Sequence, residues 1–144
     1  MEKGQILELR TEDITGEGMG VGRADGIAVF VEGTVLGDIV KVEVTQVKKR
    51  YAMARATEIV VPSEERCEPI CGSDCGGCAL RETKYETQLK IKEKQVRDKL
   101  ERLAGIAHPN VLPIIGAAQP FHYRNKAQFQ VGEKNGKSVV GFYK

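Results

Sequence analysis

All four cysteines of the chain fall within one short stretch, as Cys67, Cys71, Cys75 and Cys78. Thiolates are soft, anionic donors, and four of them saturate either a tetrahedral zinc ion or a four-iron, four-sulfide cluster. Spacing discriminates between the two. A zinc ribbon presents two Cys-x-x-Cys knuckles separated by a longer stretch, so that two hairpins clasp one ion. Here a single knuckle, Cys75-Gly76-Gly77-Cys78, is preceded by two cysteines at three-residue gaps. That is a continuous strap, better suited to wrapping one side of a larger cluster. Gly76 and Gly77 let the backbone turn sharply and come close to sulfur in either case. The iron–sulfur reading ranks first and zinc second. A redox pair at Cys75 and Cys78 ranks third, because the βαβ surround of thioredoxin-like motifs is absent.

A second group of residues suits nucleic acid. Lys48, Lys49 and Arg50 stand beside Tyr51 between two β-patterned runs. Cations for phosphate beside an aromatic face for a base are the elements of single-strand binding, and a solvated turn is the competing reading. Arg23, Lys41 and Arg55 extend this patch if the fold brings them to the same side. Gly16, Gly18, Gly20 and Gly22 alternate like a phosphate-binding loop. They are followed by the β-rich run of residues 27–31 rather than by a helix N-terminus, so a bulged hairpin connection is expected instead.

The elements that must position these groups read as follows. Four or five short, glycine-punctuated strands occupy residues 5–61, with clean alternation in Ile39-Val40-Lys41-Val42-Glu43-Val44; an OB-like β-barrel is expected. After the cysteines, residues 80–104 predict a helix. Tyr85, Leu89, Val96, Leu100 and Leu103 form its apolar stripe and Gly105 its stop. Its Lys90, Lys92, Lys94 and Arg97 are further candidates to lie along RNA. Residues 121–131 and 138–143 predict a strand pair joined at Asn135-Gly136. The fold class is therefore mixed β and α+β. Its parts are a barrel at 1–62, a Cys-rich segment at 63–80, and a helix with the start of a further β-domain at 81–144. A chain whose last residues are still strand-like is expected to be a fragment.

With 144 residues, 41% hydrophobic and 29% charged, the composition is that of a globular protein, and no run of signal or membrane-spanning length occurs. A cytoplasmic, monomeric protein is expected, in a compartment where thiols stay reduced. The formal net charge of +2 permits a nucleic-acid partner without requiring one.

Glu68-Pro69-Ile70-Cys71, then Cys75-Gly76-Gly77-Cys78, then a charged helix with Tyr85, Gln88, Leu89, Lys92 and Val96 resembles the iron–sulfur segment of RNA uracil-C5 methyltransferases. The preceding run of residues 16–23, with Gly33-Thr34-Val35-Leu36-Gly37-Asp38, is similar to their TRAM domain. Residues 123–128 with Gly141-Phe142-Tyr143 are similar to their central β-domain. The resemblance implies RNA binding, a 4Fe-4S cluster on Cys67, Cys71, Cys75 and Cys78, and methyl transfer from S-adenosylmethionine to a uridine of ribosomal or transfer RNA. It further implies that the catalytic and methyl-donor residues lie outside this chain. Arg124, Asn125 and Lys126 become RNA-contacting candidates beside Arg23, Lys48, Lys49, Arg50 and Tyr51. The cysteine spacing departs from the family's Cys-x5-Cys-Gly-Gly-Cys, and either Cys67 or a cysteine further along completes the cluster. The alternative is a stand-alone RNA-binding module with a zinc or iron–sulfur staple.

Overall fold

The computed structural model describes residues 1–71 and 77–142. Its first half is one sheet built from β1 (Ile6–Arg10), β2 (Asp13–Ile14), β3 (Gly20–Ala24), β4 (Ile27–Glu32), β5 (Ile39–Val47) and β6 (Tyr51–Val61). The strand order is β1-β5-β6-β4-β3-β2. Since β1 and β2 are successive pieces of one stretch, the two edges of the sheet belong to the same length of chain. The sheet therefore closes on itself. Across the break, Thr11 N–H donates to Asp38 O and Glu12 N–H to Val21 O, each at 2.8 Å. Every pairing is antiparallel except β4 with β6, which is parallel. That is the order of an OB barrel, as the sequence pattern leads one to expect.

Alternation explains the core. Along β5, Val40, Val42 and Val44 point inward between outward Lys41 and Glu43, and they meet Val29 and Val31 of β4 and Ala52 and Ala54 of β6. The five valines are fully buried. Each contributes about 1.5–3 kcal/mol of transfer free energy. Closure also requires a missing side chain. A Cβ on Gly22 would stand 2.5 Å from Leu9 Cδ1 and 2.8 Å from Arg10 O, so β1 and β3 can meet here only at glycine.

The helix α1 spans Tyr85–Arg102, shorter than the expected 80–104. Gly105, at φ +68°, ends it as expected, with Ile106 N–H donating back to Leu100 O. Its buried face differs from the apolar stripe. Thr87 and Ile91 are buried, while Val96 is 51% and Leu103 82% exposed. The reason is the surface α1 meets on the barrel, which offers backbone carbonyls that a polar face can satisfy. Gln95 Nε2 donates to Thr15 O at 2.9 Å and Ile14 O at 3.3 Å. Tyr85 and Leu89 turn instead toward residues 114–117, where Ala117 N–H donates to Tyr85 Oη at 2.7 Å and a Cβ on Gly116 would reach Leu89.

β7 (Gln130–Lys134) and β8 (Lys137–Gly141) form the expected hairpin, with Asn135 and Gly136 at φ +54° and +73° as a primed turn requires. The first strand is shorter than the expected 121–131. The ladder ends where Gln130 faces Gly141, the last residue of β8, so residues 121–129 lie beyond it. Among the described residues, no helix is long and apolar enough to cross a membrane.

Candidate nucleic-acid interface and cysteine loop

The turn between β5 and β6 is the exposed tip expected for Lys48, Lys49 and Arg50, closed by Lys48 N–H donating to Tyr51 O at 2.8 Å. In an OB barrel this connection flanks the ligand-binding face, which lies on the second and third strands, here β3 and β4. Register places Arg23 of β3 opposite Ala28 of β4, and Ala28 beside Tyr51 of β6. Gly22, Val29 and Ala52 on the neighbouring rung are buried, so Arg23, Ala28 and Tyr51 share the outer face. The next outward rung carries Val21, Phe30 and Met53. Phe30 and Tyr51 meet edge to face, centroids 5.6 Å apart and planes at 75°. The sequence reading named Arg23 and Tyr51 and did not name Phe30, which shares their outer face through its place in the alternation of β4.

The patch has limits. Arg55 lies on the same face of β6 but pairs with Glu43 at 3.3 Å, and Lys41 is held above the usual lysine range by its 2.8 Å bond to Glu58. Neither extends the cationic surface as the sequence allowed. On α1, Lys94 is bonded to both Asp13 and Asp98 at 2.7 Å, and Arg97 to Glu93 at 3.3 Å. Those two cations serve the helix and its contact with the barrel. Arg124, Asn125 and Lys126 are exposed in the irregular segment before β7. Arg124 stacks over the Tyr123 ring, 5.6 Å from its centroid, and donates to Tyr123 Oη at 3.2 Å. That bond raises the Arg124 pKa.

The cysteines sit on a loop pinned at its base. Arg66 bridges Thr83 antiparallel, Cys67 N–H donates to Glu82 O at 2.8 Å, and Lys84 N–H to Glu65 O at 2.9 Å. Arg66 locks this base to the barrel. Its Nη2 donates to Asp38 Oδ2 at 2.6 Å and its Nε to Asp38 Oδ1 at 3.4 Å, while its Nη1 pairs with Glu82. Asp38 is fully buried and also accepts from Val35 N–H at 2.7 Å and Ser63 N–H at 2.8 Å. Burial alone would push its carboxyl up. The Arg66 hydrogen bond, the two amides and the Arg66 charge together hold it below the usual range. Burial likewise opposes the Arg66 charge, and its bonds to Asp38 and Glu82 more than offset it.

The loop meets the barrel a second time. Gly18, at φ +83° in the turn between β2 and β3, lies against Ala79, whose Cβ would be 2.5 Å from a Cβ at Gly18. This turn is the expected glycine connection, held by Thr15 N–H donating to Met19 O at 2.8 Å. The cysteine loop therefore abuts the Gly20 end of β3, and the cationic tip stands near its Arg23 end.

Cys67 is half-buried at the loop base, and Cys71 and Cys78 are exposed. Cys75 lies outside the described residues. Among the described residues, no three His, Cys, Asp or Glu side chains gather into a metal-holding group. In chemical kind, four thiols on one anchored loop match the donor set of a tetrahedral zinc or a four-iron cluster.

Comparison with known proteins follows these two features. Residues 1–57 match the TRAM domain family. Over 145 residues the chain is 41% identical to an uncharacterized RNA methyltransferase of Halalkalibacterium halodurans, covering 99% of this chain and 32% of that protein. An uncharacterized RNA methyltransferase of Caldanaerobacter subterraneus is 43% identical over 148 residues, with the same coverages. Among solved structures, a tRNA (uracil-54, C5)-methyltransferase of Pyrococcus abyssi, in complex with S-adenosyl-L-homocysteine, is 28% identical with a TM-score of 0.44. It covers 69% of this chain and 21% of that one. A conserved protein of Methanococcus maripaludis is 36% identical with a TM-score of 0.39, covering 40% of this chain and 83% of that one. The chain spans about a third of the length of the curated relatives it matches. Over its first 57 residues the chain matches the TRAM domain family, and over nearly its whole length it is similar to bacterial proteins named as RNA methyltransferases.

Proposed function

We propose that this chain is the RNA-holding part of an S-adenosylmethionine-dependent RNA (uracil-C5)-methyltransferase of the cytoplasm, acting on ribosomal or transfer RNA. The observation that carries the RNA assignment is the outer face of the barrel, where Arg23, Phe30 and Tyr51 adjoin the exposed Lys48, Lys49 and Arg50. Cations beside an aromatic platform, on the strands and loop that OB barrels use for ligands, fit a flexible polyanion with flat bases. The relatives named as RNA methyltransferases support the enzyme class, and the motif resemblance supports carbon 5 of uridine as the methylated atom.

The parts divide as a barrel at 1–62, a cysteine segment at 63–80, and the helix with its hairpin at 81–144. In this division the barrel binds RNA. Cys67, Cys71, Cys75 and Cys78 would hold a 4Fe-4S cluster, and Arg124, Asn125 and Lys126 would contact RNA near the target base. When bound, such a cluster supplies a rigid covalent tie across its loop. The chain's own contribution is to pin both ends of that loop through Arg66, Asp38 and Glu82. None of the residues assigned here carries methyl transfer; the nucleophile and the methyl-donor site belong to the rest of the enzyme.

The test is the affinity for single-stranded RNA, measured against salt, of the protein with Lys48, Lys49 and Arg50 all changed to Ala. Each lost phosphate contact flattens the log–log salt slope by about 0.7 for single strands. The triple variant should therefore lose roughly 2 from the slope as well as affinity. An unchanged slope removes the tip from the interface.

A further inference from the structure

We propose that α1 carries a second track for the RNA backbone, formed by Lys92, Lys99 and Arg102. This rests on the RNA-binding reading above and extends it from the barrel tip to the helix. Successive helical residues turn by about 100°, so the positions of α1 sort into sides. The buried Thr87 and Ile91 mark one side, with Lys94 beside them bonded to Asp13 of the barrel. Tyr85 and Leu89 mark a second, against residues 114–117. Between these two sides Arg102, Lys99 and Lys92 fall within a sector of about 80°, all of them exposed. None of the four acids of α1, Glu86, Glu93, Asp98 and Glu101, falls within it. Lys90 and Arg97 take the remaining side together with Glu86, Glu93 and Glu101, where acids outnumber bases. The tertiary contacts of the helix therefore divide its cations into a mixed surface and an acid-free one.

The acid-free side is available to a partner. Among the described residues no carboxylate is ion-paired with Lys92, Lys99 or Arg102, and Asp98, one turn before Arg102, is bonded to Lys94 at 2.7 Å. Lys99 reaches over the turn between β2 and β3, its Nζ 3.9 Å from where a Cβ on Gly16 would stand. Ile14, whose carbonyl accepts from Gln95, faces Gly20 in the strand register. The helix thus stands at the Gly20 end of β3, and the Lys48–Arg50 tip near its Arg23 end. Two cationic groups at the two ends of one strand fit an extended polyanion that passes along the barrel. From Lys92 to Arg102 the helix rises about 15 Å, which matches a run of phosphates rather than a single anion. Lysine meets phosphate as a point charge, so the track would position RNA without selecting its sequence.

The experiment compares the whole chain with two double variants of equal charge change. One is Lys92→Ala with Lys99→Ala, on the track; the other is Lys90→Ala with Arg97→Ala, on the mixed side of the same helix. Binding to a mixed-sequence single-stranded RNA is followed by fluorescence anisotropy over a range of salt. All four positions are exposed and alanine is a good helix former, so thermal unfolding of both variants, recorded alongside, should stay close to the parent. The track variant should bind about tenfold more weakly at low salt and lose about 1.4 from the log–log salt slope, two contacts at about 0.7 each. The mixed-side variant should keep the slope of the parent. A track variant with the parent's slope and affinity overturns the track and leaves the RNA-binding reading standing on the tip. Equal losses in the two variants also overturn it, because net charge rather than one side of α1 would then govern binding. A parent chain that does not bind RNA overturns both readings.

Discussion

Replacing Asp38 by Asn changes one atom of the side chain and should nevertheless be among the most damaging substitutions in the barrel. Each carboxylate oxygen receives two donors. Oδ2 accepts from Val35 N–H and Arg66 Nη2, and Oδ1 from Ser63 N–H and Arg66 Nε. An Asn amide must turn its NH2 toward one of these pairs, whichever way it flips, so two donors lose their acceptor and face a third. The site is fully buried on the Asp38 side, with the Arg66 side chain 20% exposed. At roughly 1–3 kcal/mol per unsatisfied buried group, and with the Arg66 donor partly relieved by water, the loss should be about 2–4 kcal/mol. Urea unfolding followed by circular dichroism would read this as a midpoint lower by roughly 1–2 M, at a slope of about 2 kcal/mol/M. The pH dependence follows from the same geometry. Because folding lowers the Asp38 pKa below its reference 3.8, its contribution is complete above that value and is lost as pH falls through the folded pKa. The parent should thus lose stability below about pH 4 more steeply than the Asn variant. A midpoint for Asp38→Asn within about 0.3 M of the parent, at equal slope, would refute the assignment of Asp38 as the point where barrel and cysteine loop are joined.

Two further outcomes are expected. Gly18→Ala adds a Cβ at 2.5 Å from Ala79 Cβ at φ +83°, whereas Gly26→Ala, at φ +78°, meets nothing within 4 Å. Both carry the left-handed backbone cost of about 1–2 kcal/mol. Only Gly18→Ala should in addition undock the cysteine loop, measured as faster proteolysis between residues 67 and 82; equal proteolysis of the two variants would show that the contact does not hold the loop. For the thiols, protein purified without oxygen should carry about four irons with matching sulfide. Cys67→Ser should lower that content, and unchanged iron would remove Cys67 from the ligand set. One zinc without sulfide would favour the stand-alone binding module instead.

The barrel was legible because its strands alternate strictly. Val40, Val42 and Val44 could point only one way once one of them was buried, and glycines marked the crossings. The tip at Lys48, Lys49 and Arg50 was legible for the same reason, lying between two alternating runs. The helix was legible as a helix, from Gly105 and its periodicity, but its orientation was not. Leucines and valines at helical spacing pointed to a stripe, whereas the buried helix residues are Thr87, whose hydroxyl donates to Glu65, and Ile91, with Gln95 bonded to the carbonyls of Ile14 and Thr15. Residues 121–129 carry strand-like alternation, yet pairing is a property of two strands and β8 ends at Gly141, opposite Gln130.

By itself, then, the sequence determined what is local: the alternation that makes a β-barrel, the turn residues, the clustering of four thiols, and the cationic tip with its tyrosine. Only the tertiary structure decided which of these act together. Strand register set Arg23, Ala28 and Tyr51 on one rung with Phe30 on the next, though they span residues 23–51. Asp38 and Arg66, 28 residues apart, became the joint between barrel and cysteine loop. The physical reason is that side-chain direction repeats over two to four residues and can be read from neighbours. Strand partners and buried ion pairs depend on closure of the whole sheet, which no local window contains.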